Sequence, residues 1–172
     1  REEPSAQACE SLHHGTVDCV LLALPYACGD VEAENLFDDA LFVAFPGDQS
    51  DELPAMVSAD QIDPSQMLML EDGHCLKDHV LAACNRPELR AGARMMGTSL
   101  HTLVQMVDNG LGITMLPQMA IEAGILDHTD IDTRPLDSDH DWRTIALVWR
   151  KGSPRAEEFR MLADIFRKHQ AD

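Results

Sequence analysis

Positive charge is scarce in this 172-residue chain: 13 Lys and Arg stand against 30 Asp and Glu, for a formal net charge of −17. So acidic a body repels a phosphate backbone, which excludes direct nucleic-acid binding by this chain. Aromatic residues are only 5% of the total, too few for base-stacking platforms. No apolar run approaches the roughly 20 residues that span a bilayer, and no signal-peptide pattern opens the sequence. The first residue is Arg1 and not methionine, so the chain reads as a fragment of something longer. Five cysteines are an odd number, which argues against a fully paired disulfide framework and for a cytosolic protein with mostly reduced thiols. Enzyme signatures are missing as well. There is no G-x-S-x-G elbow, no phosphate-cradling G-x-x-x-x-G-K-S/T loop and no G-x-G-x-x-G. Gly110-x-Gly112 follows a helix and precedes a strand, the wrong order for a dinucleotide loop.

What remains is a globular composition, 45% hydrophobic and 25% charged, with length for one domain or two small lobes. Ser5 can cap a short helix over 6–14, stopped by Gly15. Buried strands are expected at 17–24 (VDCVLLAL), 40–45 (ALFVAF), 67–70 (MLML), 112–117 (GITMLP) and 144–149 (TIALVW). Helices are expected from His74, from Thr98 or Ser99 to Gly110, over 118–123, and from Ser153-Pro154 onward. Residues 85–94 read as irregular, broken by Pro87 and Gly92. Strands alternating with helices predict a parallel α/β architecture.

The stretch 70–84, LEDGHCLKDHVLAAC, carries the most chemistry. Cys75 falls in the first helical turn beside His74, where free N–H groups and the helix dipole favour a thiolate. Such a thiolate attacks peroxides. Packing is the competing reading, since free cysteines are often simply buried. Cys84 lies nine residues on, which in an intact helix means the opposite face and a rise of roughly 13 Å. A disulfide needs Cα atoms about 4.4–6.8 Å apart, so the two could pair only if the helix unwinds. From spacing alone, Cys84 reads first as a small core residue sharing a face with Val80 and Leu81. His79 lies four residues after Cys75, a chelating spacing, but without a second ligand pair it reads as a solvated histidine, and no metal is expected. The acidic runs at 38–39 and 137–141 read as solvated loops. Cys19 reads as strand core, and Cys9 and Cys28 carry no visible motif.

LEDGHC with a second cysteine nine residues after the first, Thr98-Ser99-Leu100, Gly110-x-Gly112-Ile113-Thr114-x-Leu116-Pro117 and Arg143-Thr144-Ile145 together resemble the OxyR hydrogen-peroxide sensors. These are a branch of the LysR-type transcriptional regulators, and the resemblance covers nearly the whole chain. It implies two Rossmann-like α/β lobes of the periplasmic-binding-protein type, with the chain crossing between them twice. Lobe I would comprise 1–38 and 145–172, and lobe II 39–144. The family's first strand and helix of lobe I are absent, with a threonine that helps bind peroxide in relatives. Cys75 matches the peroxide-reacting cysteine and Cys84 its disulfide partner. His74, Ser5 and Arg143 match supports of the peroxide site, whereas a histidine that some relatives carry ten residues after the second cysteine is Arg94 here.

The reading implied is a cytoplasmic, stoichiometric sensor and not an enzyme, with no cofactor. Hydrogen peroxide would oxidise Cys75 to a sulfenic acid that condenses with Cys84. The resulting change would be passed through a homodimer or tetramer to DNA, touched only by the absent winged helix-turn-helix domain. RNA polymerase and disulfide reductants are implied partners; a membrane is not. The alternative is a LysR-type domain that takes a small organic effector between its lobes, with both cysteines structural.

Overall fold

The computed structural model describes residues 1, 3–86, 88–89, 95–139 and 141–170. In chain order these form α1 (Ser5–His13), β1 (Cys19–Leu24), β2 (Val31–Pro46), β3 (Val57–Ser58), β4 (Leu68–Leu70), α2 (Cys75–Cys84), β5 (Met95–Gly97), α3 (Leu100–Asp108), β6 (Thr114–Pro117), α4 (Gln118–Glu122), β7 (Ile131–Asp137), β8 (Trp142–Arg150) and α5 (Ala156–Gln170). They divide into two compact units. Unit 1 comprises Arg1–Asp38, Gly73–Cys75 and Arg143–Asp172; unit 2 comprises Asp39–Asp72 and Leu76–Trp142.

In unit 1, β1 runs antiparallel to β8, with Leu21 opposite Leu147. The period-2 alternation of β8 decides which helix each residue meets. Ala146 and Val148 join Leu12 of α1 in one apolar cluster. Leu147 and Trp149 join Phe159 and Ala163 of α5 in another. Both faces of β8 are therefore covered, which explains why its sequence is continuously apolar. Trp149 and Phe159 have ring centroids 5.5 Å apart.

In unit 2, β2 continues and pairs antiparallel with β6 and β7, while β7–β3 and β4–β5 are parallel. The main core gathers Leu68 and Leu70 of β4, Leu76, Val80 and Cys84 of α2, and Leu103 and Val107 of α3. Ser99 caps α3, its Oγ accepting from the Thr102 N–H at 3.2 Å. Gly112 is required by close approach, because a Cβ there would run into the Gln66 carbonyl oxygen.

The pairing corrects the expectation of a parallel architecture: the sheets are mixed. Strand–helix alternation predicts parallel neighbours only between consecutive units, whereas β1 meets β8 across more than a hundred residues. Ser5 is not the N-cap but the first helical residue, after Pro4, which supplies no side-chain cap bond. The acidic pair 38–39 lies inside β2, and Asp39 is buried, accepting from the Met119 N–H at 2.9 Å. Residues 87 and 90–94, including Arg94 and most of the stretch read as irregular, lie outside the described residues. Among the described residues no helix is long and apolar enough to cross a membrane.

Candidate functional site

The site begins where β4 delivers the chain to α2. Leu68, Met69 and Leu70 are all buried, so the strand is fixed and the polar Glu71-Asp72-Gly73 that follows must turn. Glu71 N–H donates to the Gly97 carbonyl at 3.1 Å. Gly73 then takes a φ of +101°, a conformation that favours glycine and gives the LEDGHC motif its third-from-last residue a physical reason. The turn is clamped from below: the buried Lys77 ammonium reaches Asp72 Oδ1 at 2.9 Å and lies 3.9 Å from Met96 Sδ.

His74 precedes the helix and is half-buried; Cys75 is the first residue of α2, also half-buried, and its thiol is free of any disulfide. Its position places it in the first turn, at the positive end of a ten-residue helix. Cys84 is the last residue of the same helix and is in the opposite situation. It is buried among apolar side chains, and its Sγ lies 3.9 Å from Met115 Sδ. Burial pushes its thiol up to about 11, against a smaller opposing pull from Arg86. Cys84 is thus a neutral thiol at physiological pH. Directly after it, Asn85 takes a φ of 48° and ends the helix. Arg86 Nη1 then donates to the carbonyls of Ala59 and Ile62 at 2.6 and 2.9 Å.

Ser5 is buried at the start of α1, and Arg143 is half-buried on β8. Both belong to unit 1, with Gly73, His74 and Cys75. A Cβ placed on Gly73 would lie 4.0 Å from Pro4 Cβ, so the turn before Cys75 abuts the start of α1. Four of the five residues singled out in the sequence, Ser5, His74, Cys75 and Arg143, therefore share one compact unit, while Cys84 is in the core of the other.

One reading fails: His79 is not solvated but buried on the inner face of α2. Among the described residues, no group of three or more His, Cys, Asp or Glu side chains is placed to hold a metal ion. Cys19, Cys75 and Cys84 are free thiols, as an odd cysteine count suggests, while Cys9 and Cys28 form a disulfide. Cys9 sits with Ser5 and Leu12 on the buried face of α1, a helical spacing legible in the sequence. That the segment after β1 folds back to meet it was not.

The LysR substrate-binding domain family matches this chain over residues 1–171. The regulator EstR of Acinetobacter baylyi is 35% identical, with 97% of this chain and 55% of that protein covered. The hydrogen peroxide-inducible genes activator of Dickeya chrysanthemi is 34% identical, with 98% and 55% covered. Among solved structures, the reduced form of the OxyR2 regulatory domain of Vibrio vulnificus superposes with a TM-score of 0.90 at 33% identity, covering 98% of this chain and 79% of that one. The chain spans about half the length of the curated relatives it matches.

Proposed function

This chain belongs to the LysR substrate-binding domain family, and on that premise we propose that it is the peroxide-sensing regulatory domain of an OxyR-type transcription regulator. The observation that carries the proposal is the asymmetry across α2: a half-exposed thiol at the helix start and a buried, neutral thiol at its end. Relatives named as hydrogen peroxide-inducible genes activators support it.

In the proposed chemistry the Cys75 thiolate attacks one oxygen of hydrogen peroxide. The O–O bond breaks, leaving a sulfenic acid and hydroxide. The Cys84 sulfur then displaces the sulfenic oxygen, forming the Sγ–Sγ bond and releasing water. Two thiols and one peroxide become one disulfide and two waters. His74, Ser5 and Arg143 are proposed as supports of the peroxide, and Lys77–Asp72 holds the turn that presents Cys75. Sensing is stoichiometric, reset by disulfide reductants, so the chain is not an enzyme.

Lobe I is proposed as 1–38 with 145–172, and lobe II as 39–144. The whole protein is proposed to work in the cytoplasm as a homodimer or tetramer, reaching DNA through a winged helix-turn-helix domain and acting on RNA polymerase. The family's description as a substrate-binding domain favours one rival, a domain for a small organic effector. Low-micromolar hydrogen peroxide separates the two. The sensor loses two of the free thiols Cys19, Cys75 and Cys84 and yields a Cys75–Cys84 cross-linked peptide; an effector domain keeps all three.

A further inference from the structure

A second cysteine pair stands outside the peroxide chemistry above. Cys9 on α1 and Cys28 in the connection from β1 to β2 are bonded across a sequence separation of 19, with Cα atoms 5.4 Å apart. They are only 6% and 4% exposed and pack with Leu12, Leu22, Ala146 and Val148. Non-covalent contacts hold the same two segments together. The Cys28 carbonyl accepts a hydrogen bond from His13 Nε2 at 2.6 Å. The His13 ring also lies so close over Gly29 that a Cβ there would come within 2.8 Å of Nε2. These contacts, besides the bond itself, hold the two segments together.

The same helix supports the turn that carries Cys75. Cys9 lies one helical turn beyond Ser5 on the buried face of α1. Pro4, at the head of that helix, faces Gly73, and Gly73–Cys75 belong to the unit that α1 helps to build. We infer that Cys9 and Cys28 form a second redox centre, whose disulfide clamps α1 and thereby sets the reactivity of Cys75.

Oxidation of the pair removes two protons and two electrons, taken up by a disulfide donor that is reduced to its dithiol, and makes one Sγ–Sγ bond. Reduction by a dithiol reverses this through a mixed disulfide. No helix need unwind, in contrast to Cys75 and Cys84. The buried sulfurs are shielded, so reduction waits on local opening of unit 1 and is slow.

The inference rests on reading Cys75 as the reactive thiol, but its test uses no peroxide. The 172-residue chain is compared with its 9–28 bridge intact and after exhaustive reduction by dithiothreitol, the reductant being removed anaerobically. Cys75 alkylation by iodoacetamide is timed by peptide mass spectrometry, with hydrogen exchange read across Gly73–Cys75. The two states should differ in alkylation rate by about threefold or more, and a disulfide donor such as oxidised dithiothreitol should restore the first rate. A Cys9→Ser/Cys28→Ser chain should show the reduced rate under both treatments; should it not fold, the wild-type comparison decides alone. Equal rates in the two wild-type states, or Cys9 and Cys28 recovered as free thiols after treatment with the donor, would overturn the inference. Failure of the sensor reading is distinct: Cys75 would then ignore peroxide while the alkylation difference persisted.

Discussion

Cys75 and Cys84 are the first and last residues of one ten-residue helix, and their environments differ as much as their positions. The first sulfur is half-exposed at a helix start; the second is buried against Met115. With roughly 1.5 Å of rise per residue the two Cα atoms stand about 13 Å apart, nearly twice the upper limit of disulfide range. In the proposed chemistry the helix is thus both the support of the reactive thiol and the barrier to its bond.

Cys75 should alkylate first among the free thiols at neutral pH. Cys19 is half-buried and held above the ordinary thiol range, first by burial and then by neighbouring Asp18. Cys84 is pushed up to about 11 by burial. Both are therefore poor thiolates, and alkylation requires the thiolate. Pulse labelling with iodoacetamide should modify Cys75 well before the other two; prior labelling of Cys19 would remove the assignment.

Cys84 also predicts how stability responds to alkali. Its folded value, about 11, lies above the ordinary thiol value of 9.0, so the unfolded chain loses this proton first. The unfolded state then binds fewer protons, and stability falls as pH rises from about 9 to about 11. The loss attributable to this thiol is on the order of 2 kcal/mol. Urea midpoints should therefore fall more steeply over that window in the wild type than in Cys84→Ala. Parallel curves would show that Cys84 ionises as easily in the folded chain as in the unfolded one.

The Lys77–Asp72 pair predicts an asymmetry between two substitutions. Lys77 is 7% exposed and Asp72 80%. Asp72→Asn strips a buried ammonium of its carboxylate and should cost about 1–3 kcal/mol. Lys77→Met removes the buried charge and leaves an exposed carboxylate in water, and should cost less than about 1.5 kcal/mol. Denaturant titration of the two variants measures both. The reverse order would mean that the pair does not hold the turn.

Much of this site is legible in the sequence because local chemistry dictates it. The strand Leu68–Leu70, the glycine that must turn at Gly73 and the helix opening at Cys75 are read from consecutive residues. The cap at Ser99 is equally local, whereas the close approach that requires Gly112 is to Gln66, distant in the chain. What escaped depends on contacts distant in sequence. β7 contains Asp132, Arg134 and Pro135, a poor strand pattern rescued by pairing with β2. Asp39 looks solvated until the Met119 N–H, 80 residues away, is seen to need it. Cys28 likewise owes its burial to neighbours from other elements, which no period along one segment reveals.

In the proposed sensor a Cys75–Cys84 bond can form only at the expense of α2, a cost that hydrogen exchange on the reduced and peroxide-oxidised chain reads out. Each melted backbone hydrogen bond forfeits about 0.5–1.5 kcal/mol net, and Arg86, anchored to Ala59 and Ile62, bounds the segment on its C-terminal side. Amides over residues 76–84 should lose protection on oxidation while those of β8 keep theirs. Full protection of α2 in a chain shown by mass spectrometry to carry the Cys75–Cys84 disulfide would contradict it.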